Sequence, residues 1–204
     1  MSRKVILAAG LCEHIPLWKD TDVIGVDRGA LIAVRQKVSL RCAIGDFDSI
    51  TAQEKAEIAA ACEIHTLPRH KNETDSEAAI QYALDQGYEE IILYGGLGGR
   101  MDHALANLYL LMHRDYPLTL QDEHHIITKC KPGTYHVKKQ FTYLSLLALE
   151  PTIISESGVA YPLHKRQITP TDIYPISNEI IADLAEIIVH EGNVLLFQCE
   201  DVTK

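Results

Sequence analysis

The sequence predicts an α/β protein: a mostly parallel sheet flanked by helices, followed by a smaller antiparallel β domain, a sandwich or roll. Two observations predict it. Up to about residue 122, short and nearly continuous apolar runs alternate with stretches of helical period, the pattern of a parallel sheet covered on both faces. Beyond that point the helical period disappears, and β-type runs are separated by Pro, Gly, Ser and Thr, which points to antiparallel strands. The expected domains are therefore 1–122 and 123–204.

The elements can be taken in order. "KVILAAG" has Arg3 and Lys4 before a short apolar stretch that runs straight into Gly10, so it reads as a first strand, not a secretory leader. "DVIGVD", "RCAIGDFD", "EIHTLP", "EEIILYGG" and "LTLQD" are further strands. Between them "RGALIAVRQ", "TAQEKAEIAAA", "DSEAAIQYALDQ" and "DHALANLYLLMH" read as helices. Gly87 is a stop signal for the third helix, and Ala104, Leu105, Leu108 and Leu111 are spaced as one apolar face of the fourth. In the second half "HHIITKC", "YLSLLALE", "TIISES", "GVAYPLH" and "AEIIVHEGNVLLFQCE" read as strands, with "HEGN" as a hairpin turn.

Composition narrows the function. The chain is 47% hydrophobic and 23% charged over 204 residues, with a net charge of -9. That is the make-up of a soluble protein with a real core. It has no basic footprint, which argues against nucleic acid as the main partner. No apolar run is long enough to cross a bilayer. The five cysteines are scattered without a CxxC, so reduced thiols in a cytoplasmic protein are expected. The histidines lack the i, i+4 spacing of a helical metal pair.

The polar residues collect where the N-terminal strands end. Ala9 and Gly10 follow the first strand, Asp27, Arg28 and Gly29 the second, and Gly45, Asp46 and Asp48 the third. Then come Arg69, His70, Lys71 and Asn72, and finally Gly95, Gly96, Gly98, Gly99 and Arg100. In a parallel sheet these ends share one edge, the usual ligand edge of such folds. Glycines there let a ligand approach the backbone, and helix N-termini favour anions. A phosphate-bearing ligand follows. "YGGLGGRMDH" is neither GxGxxG nor a P-loop and by itself fits a plain tight turn. Arg100, Asp102 and His103 beside it point to a site.

"IGDFDSI" sets Asp46 and Asp48 two positions apart, on the same side of an extended segment. Bare carboxylates so placed repel, and a hard divalent cation such as Mg2+, shared with phosphate and water, removes that penalty. The alternative is that either aspartate caps the next turn or helix, with Ser49 or Thr51 helping. Asp75 fits both a metal site and a helix cap, since Thr74 and Glu77 have capping-box spacing. Asp27 is a helix N-cap or an acceptor for a ribose hydroxyl. Lys71 and Arg69 are phosphate contacts or solvated loop charges.

"GVDRGA", "IGDFDSI", "KNETDSEAAI", "YGGLGGRMDHALANLYLL", "GVAYPL" and "SNE", in that order, resemble the bacterial thiamine pyrophosphokinase family along almost the whole chain. The resemblance implies a nucleotide-binding α/β domain, a β-rich thiamine-binding and dimerisation domain, a homodimer, and Mg2+-dependent transfer of diphosphate from ATP to thiamine with release of AMP. It implies that Asp46, Asp48 and Asp75 form the metal and catalytic set. Asp27, Arg28, Lys71, Gly96, Gly98, Gly99, Arg100 and Asp102 become nucleotide-binding, and Ser177 and Asn178 substrate-binding. Taken alone, "YPISNE" reads as a polar turn. Arg28 departs from the pattern, standing where many members have a second glycine. Two rival readings are a diphosphotransferase acting on another small alcohol, such as a hydroxymethylpterin, and a non-catalytic sensor of nucleotide or thiamine diphosphate.

Overall fold

A computed structural model describes residues 2–68 and 72–201. The chain divides into two compact units, Met1–Glu123 and His124–Lys204.

In the first unit the strands are β1 (Lys4–Ala8), β2 (Thr21–Val26), β3 (Cys42–Gly45), β4 (Ile64–Thr66), β5 (Glu90–Tyr94) and β6 (Leu118–Gln121). They form a sheet in the order β4-β3-β2-β1-β5-β6, with every described pair parallel. The central strand shows why its sequence is an unbroken apolar run. Ile6 lies between Val23 and Ile92, Leu7 lies between Ile24 and Leu93, and both are fully buried. Each contributes about 2 kcal/mol by leaving water.

The helices are α1 (Arg28–Arg35), α2 (Ala52–Ala61), α3 (Asp75–Asp85) and α4 (Met101–His113). Ala30 and Leu31 of α1 share a core cluster with Ile58 of α2. Gly87 follows α3 at φ 76, and its N–H bonds Leu84 O, as the stop signal requires. The buried face of α4 differs from the expected one. Ala104, Asn107, Leu110 and Leu111 point inward, while Leu105 is exposed with Met101 and Tyr109. A buried asparagine replaced one of the leucines that periodicity had put inside.

The second unit holds β7 (His125–Cys130), β8 (Gly133–Val137), β9 (Tyr143–Ala148), β10 (Thr152–Ser157), β11 (Leu163–Ile168), β12 (Ala185–Glu191) and β13 (Val194–Cys199). Within it β13 pairs antiparallel with β7 and β9, and β11-β10-β12-β8 form a four-stranded antiparallel sheet. Leu144 and Leu196 from one side and Ile154 and Ile187 from the other share a single core, which makes a sandwich. Two local expectations fail. "HEGN" is not a hairpin, because β12 and β13 lie in different sheets. Gly192 turns the corner at φ 78 with Thr152 Oγ1 only 2.4 Å from where a Cβ would sit. "GVAYPLH" is also not one strand: β11 starts at Leu163, and residues 158–161 are a turn region with a single bridge, Val159 to Ile180.

Candidate active site

All described strands of the first unit run the same way, so their carboxyl ends share one edge. The hydrogen-bond ladder continues past the strands along it. Ala9 N–H donates to Tyr94 O at 2.8 Å, Asp27 N–H to Ile44 O at 2.8 Å, and Leu67 N–H to Gly45 O at 2.9 Å. Strand order runs 4-3-2-1 and then reverses to 5-6, so the switch point lies between β1 and β5.

Asp27 occupies the N-cap position of α1 but makes no side-chain cap bond. Its backbone stands at φ 48, ψ -123, a region that only glycine enters freely. One carboxylate oxygen accepts from Ser49 Oγ at 2.9 Å; the other, Oδ1, is buried and has no hydrogen-bond partner. Burial pushes the Asp27 carboxyl above its ordinary range; the Ser49 hydroxyl and the Arg28 backbone N–H oppose this, while the negative charges of Asp75 and Asp46 raise it further. The charges of Asp46, just past β3, and of Asp75, at the start of α3, thus both reach Asp27. Gly45 makes room for the arrangement: a Cβ there would stand 3.0 Å from Asp27 Cα.

Asp46 and Asp48 do not sit on an extended segment. β3 ends at Gly45, and Phe47 adopts a left-handed conformation at φ 58 with its ring buried. Asp46 Oδ1 accepts the Asp48 N–H at 3.1 Å, and Asp48 is exposed. The same-side argument from strand alternation therefore does not apply; the left-handed turn sets their placement. Neither caps α2, whose N-cap is Thr51 in a capping box with Glu54. Asp75 opens α3 behind the N-cap Thr74, whose hydroxyl accepts the Glu77 N–H. Only that half of the box is seen, and the Glu77 carboxylate is 3.2 Å from Arg114.

Among the described residues, no three His, Cys, Asp or Glu side chains stand close enough together to enclose a metal alone. An oxygen-seeking cation that keeps water and phosphate ligands needs only one or two carboxylates. The buried Asp27 oxygen without a hydrogen-bond partner, reached by the charges of Asp46 and Asp75, fits such an open site.

The glycine element follows β5. Gly95 is at φ 74, with the Cys12 backbone nitrogen 2.4 Å from a Cβ position. Gly98 and Gly99 are also left-handed, at φ 86 and 61. Gly96 is held by Asn107, whose amide donates to its carbonyl at 2.8 Å. Asn107 is a residue that sequence reasoning missed; its one signal is a polar side chain at a core position of α4. Arg100 and Asp102 pair with each other, at 2.6 and 3.1 Å, in full solvent, and the guanidinium holds the Asp102 carboxyl down at about 2. Arg28 is exposed, its Cβ 3.4 Å from a Cβ built on Gly10. Lys71 lies outside the described residues.

In the second unit, Ser177 is exposed in a left-handed conformation at φ 59, and its N–H donates to Ser145 Oγ at 2.9 Å. Asn178 is buried. Its Oδ1 accepts from Tyr161 N–H and Glu179 N–H, and its Nδ2 donates to Tyr161 O, each at 3.0 Å. The two residues of the pair thus face opposite ways.

The Thiamin pyrophosphokinase catalytic-domain family model matches residues 15–120, and the Thiamin pyrophosphokinase vitamin B1 binding-domain model matches residues 124–194. A Bacillus subtilis thiamine pyrophosphokinase is 31% identical over 94% of this chain and 91% of its own. A crystal structure of a thiamin pyrophosphokinase family protein from Enterococcus faecalis is 30% identical, with a TM-score of 0.87 over 98% of this chain and 100% of that one. The Bacillus subtilis crystal structure is 29% identical, with a TM-score of 0.86 over 98% and 100%. Two successive family models and full-length likeness above 30% identity lead to one conclusion: the chain belongs to the thiamin pyrophosphokinase family, and with it to the transferases that form thiamine diphosphate.

Proposed function

We propose that this chain transfers the diphosphate group of ATP to the hydroxyl of thiamine with release of AMP, using Mg2+ held by Asp46 and Asp48 with Asp75. The observation that carries the reading is that the charges of Asp46 and Asp75 reach Asp27 at one sheet edge, with a buried Asp27 oxygen left without a hydrogen-bond partner. Bound there, Mg2+ supplies charge neutralisation on the oxygens of the transferred group. The hydroxyl oxygen of thiamine attacks the β-phosphorus in line and its proton is released to solvent; the bond from that phosphorus to the oxygen it shares with the α-phosphate breaks, and AMP leaves with the electron pair. Asp75 orients the hydroxyl. The left-handed glycines at 98 and 99 and the start of α4 receive the nucleotide, with Arg100 exchanging Asp102 for a phosphate. Asp27 and Arg28 line the same edge. Lys71 is assigned a phosphate contact on the sequence alone.

In the second unit Ser177 faces thiamine and Asn178 holds the loop, its amide being already engaged. A homodimer is supported by the large apolar residues exposed around Ser177, namely Tyr161, Ile176 and Ile181. The cytoplasmic reading rests on the scattered cysteines and the absence of a long apolar run.

Purified protein with ATP, Mg2+ and thiamine should release AMP and thiamine diphosphate stoichiometrically, and chelation should stop it. Asp46→Asn should lower kcat by about a hundredfold or more, the scale of lost charge stabilisation, while the protein stays folded. Near-normal turnover in that variant overturns the metal role. Turnover with a hydroxymethylpterin in place of thiamine overturns the acceptor, and binding without turnover makes the protein a sensor.

A further inference from the structure

β1 passes to β2 without a helix, and the first part of that connection, residues 10–15, lies at the switch point between β1 and β5. It is tied down on three sides. Leu11 N–H donates to Gly95 O at 3.3 Å. The Glu13 and His14 N–H groups both donate to Oε1 of Glu123, at 3.1 and 3.3 Å. Ile15 N–H donates to Gln36 Oε1 at 3.0 Å. Glu123 itself stands just past the carboxyl end of β6, on the ligand edge. A carboxylate oxygen that accepts backbone N–H groups makes the stronger, charge-assisted kind of bond.

The loop bears in turn on the glycine element. The Cys12 backbone nitrogen is 2.4 Å from a Cβ position at Gly95, so no side chain fits there, and Leu11 Cδ1 is 2.9 Å from one at Gly99. The leucine tip thus fills the space that a side chain on Gly99 would take. Cys12 and Ile15 anchor the loop in the core beside Tyr94, while Leu11 stays half exposed over the glycine. Charge alone gives Glu123 no reason to be here. On a chain of net charge -9, an edge that receives a polyphosphate gains from losing every carboxylate that does not hold its cation.

We propose that Glu123 is a positioning residue for the nucleotide: through the Glu13 and His14 N–H groups it fastens the loop at 10–14 onto Gly95 and Gly99, and so holds the glycine element in place. This rests on the reading of that element as the nucleotide side. Gly95, Gly98 and Gly99 stand at φ 74, 86 and 61, a region that glycine enters freely and leaves as freely. Asn107 holds Gly96 from the helix side; Leu11 and Cys12 hold Gly95 and Gly99 from the loop side. The element is then ordered before ATP arrives, which favours binding. Without the Glu123 carboxylate, two N–H groups turn to water, Leu11 lifts from Gly99, and ATP has to order the glycines itself.

The test uses the full chain and follows the KM for ATP and for thiamine in Glu123→Ala, Glu123→Gln, Leu11→Ala and Arg100→Ala. Charge and fastening predict opposite signs. If Glu123 acted by its charge alone, both of its variants would lower the KM for ATP. Fastening predicts that Glu123→Ala raises it by about threefold to tenfold, the scale of one lost hydrogen bond, with the KM for thiamine within about twofold of wild type. Glu123→Gln, whose amide oxygen still accepts two N–H groups, should stay within about twofold on both. Leu11→Ala should raise the KM for ATP as well, and the double variant should rise little beyond the larger single one, because both act through one contact. A loss of stability alone would lower the active fraction, and so kcat, without moving one KM selectively. If Glu123→Ala does not fold, Glu123→Asp keeps the charge and loses the reach, with the same expectation. The proposal is overturned if Arg100→Ala raises the KM for ATP while the folded Ala or Asp variant leaves it unchanged or lowers it. It is overturned too if Gln is as impaired as Ala, or if the Glu123→Ala and Leu11→Ala effects add in full. If neither Arg100→Ala nor Glu123→Ala moves the KM for ATP, it is the placement of the nucleotide at this element that fails.

Discussion

Asp27 and Glu156 each bury a carboxylate oxygen that no hydrogen bond satisfies, and burial raises the pKa of both. Their surroundings differ. Asp27 stands at a sheet edge with the charges of Asp46 and Asp75 pressing on it and a backbone conformation better suited to glycine. Glu156 stands inside a sandwich on β10, beside a shift of register in the pairing with β11, and no like charge presses on it. Like charges gathered at an edge are tolerable once a cation joins them. A lone acid in a core is tolerable once it gives up its charge. The same defect thus accompanies a proposed ligand site in one unit and a buried acid that keeps its proton in the other.

Removing Asp27 should separate the two most sharply and gives the largest effect. Glycine at 27 keeps the φ 48 turn and relieves strain of about 1–3 kcal/mol. Asp27→Gly should therefore melt no lower than wild type, while kcat/KM falls by about a hundredfold or more. Thermal denaturation and steady-state turnover on one preparation check both halves. A variant that is both less stable and still active would make Asp27 a structural acid like Glu156.

Glu156→Gln is the converse, with an effect on stability instead of turnover. The folded carboxyl titrates near 7 against an ordinary 4.5. The folded state thus holds a proton that the unfolded chain releases, and stability from this group is full below about 4.5 and lost as pH rises through 7. The difference amounts to about 3 kcal/mol. Glu156→Gln should match wild type near pH 4 and exceed it by about 3 kcal/mol at pH 8 in denaturant melts. An equal difference at both pH values would mean that Glu156 is not the titrating group.

These two acids also show how far the sequence could be read. Asp27 was visible because β2 is an apolar run that stops at a charge, and a parallel sheet puts every such stop on one edge. The same logic pointed to the glycines at 96, 98 and 99 and to the acids at 46 and 48, whereas Asp75 on sequence alone read as well as a helix-start residue. Glu156 was hidden because "TIISES" has polar residues at both parities, so nothing in its period says which face is inside. Asn107 was masked by neighbouring leucines that satisfy a helical face without it. The corner at Gly192 looked like a hairpin because two apolar runs around a glycine read the same whether the strands pair or part into two sheets. The left-handed Phe47 left no trace, since a buried aromatic normally argues for a strand.

The smallest effect is expected at the pair that looks strongest on paper. Arg100 and Asp102 form a bidentate contact, with side chains 73% and 64% exposed. Water and salt screen such pairs, and most contribute little. Asp102→Asn should move the melting temperature by less than about 2 °C, even though the aspartate titrates near 2. Its value is as a probe of what Arg100 is for. If Arg100 trades its carboxylate for a phosphate of ATP, Asp102 competes with the nucleotide for the same guanidinium, and Asp102→Asn should lower the KM for ATP by about twofold to threefold, the scale of one exposed ion pair. That gain should fade as salt is raised from 50 to 500 mM, because both partners of the exchange are screened alike. An ATP KM that rises in Asp102→Asn would instead give the aspartate a direct nucleotide contact, and place the loss with the acids of the edge.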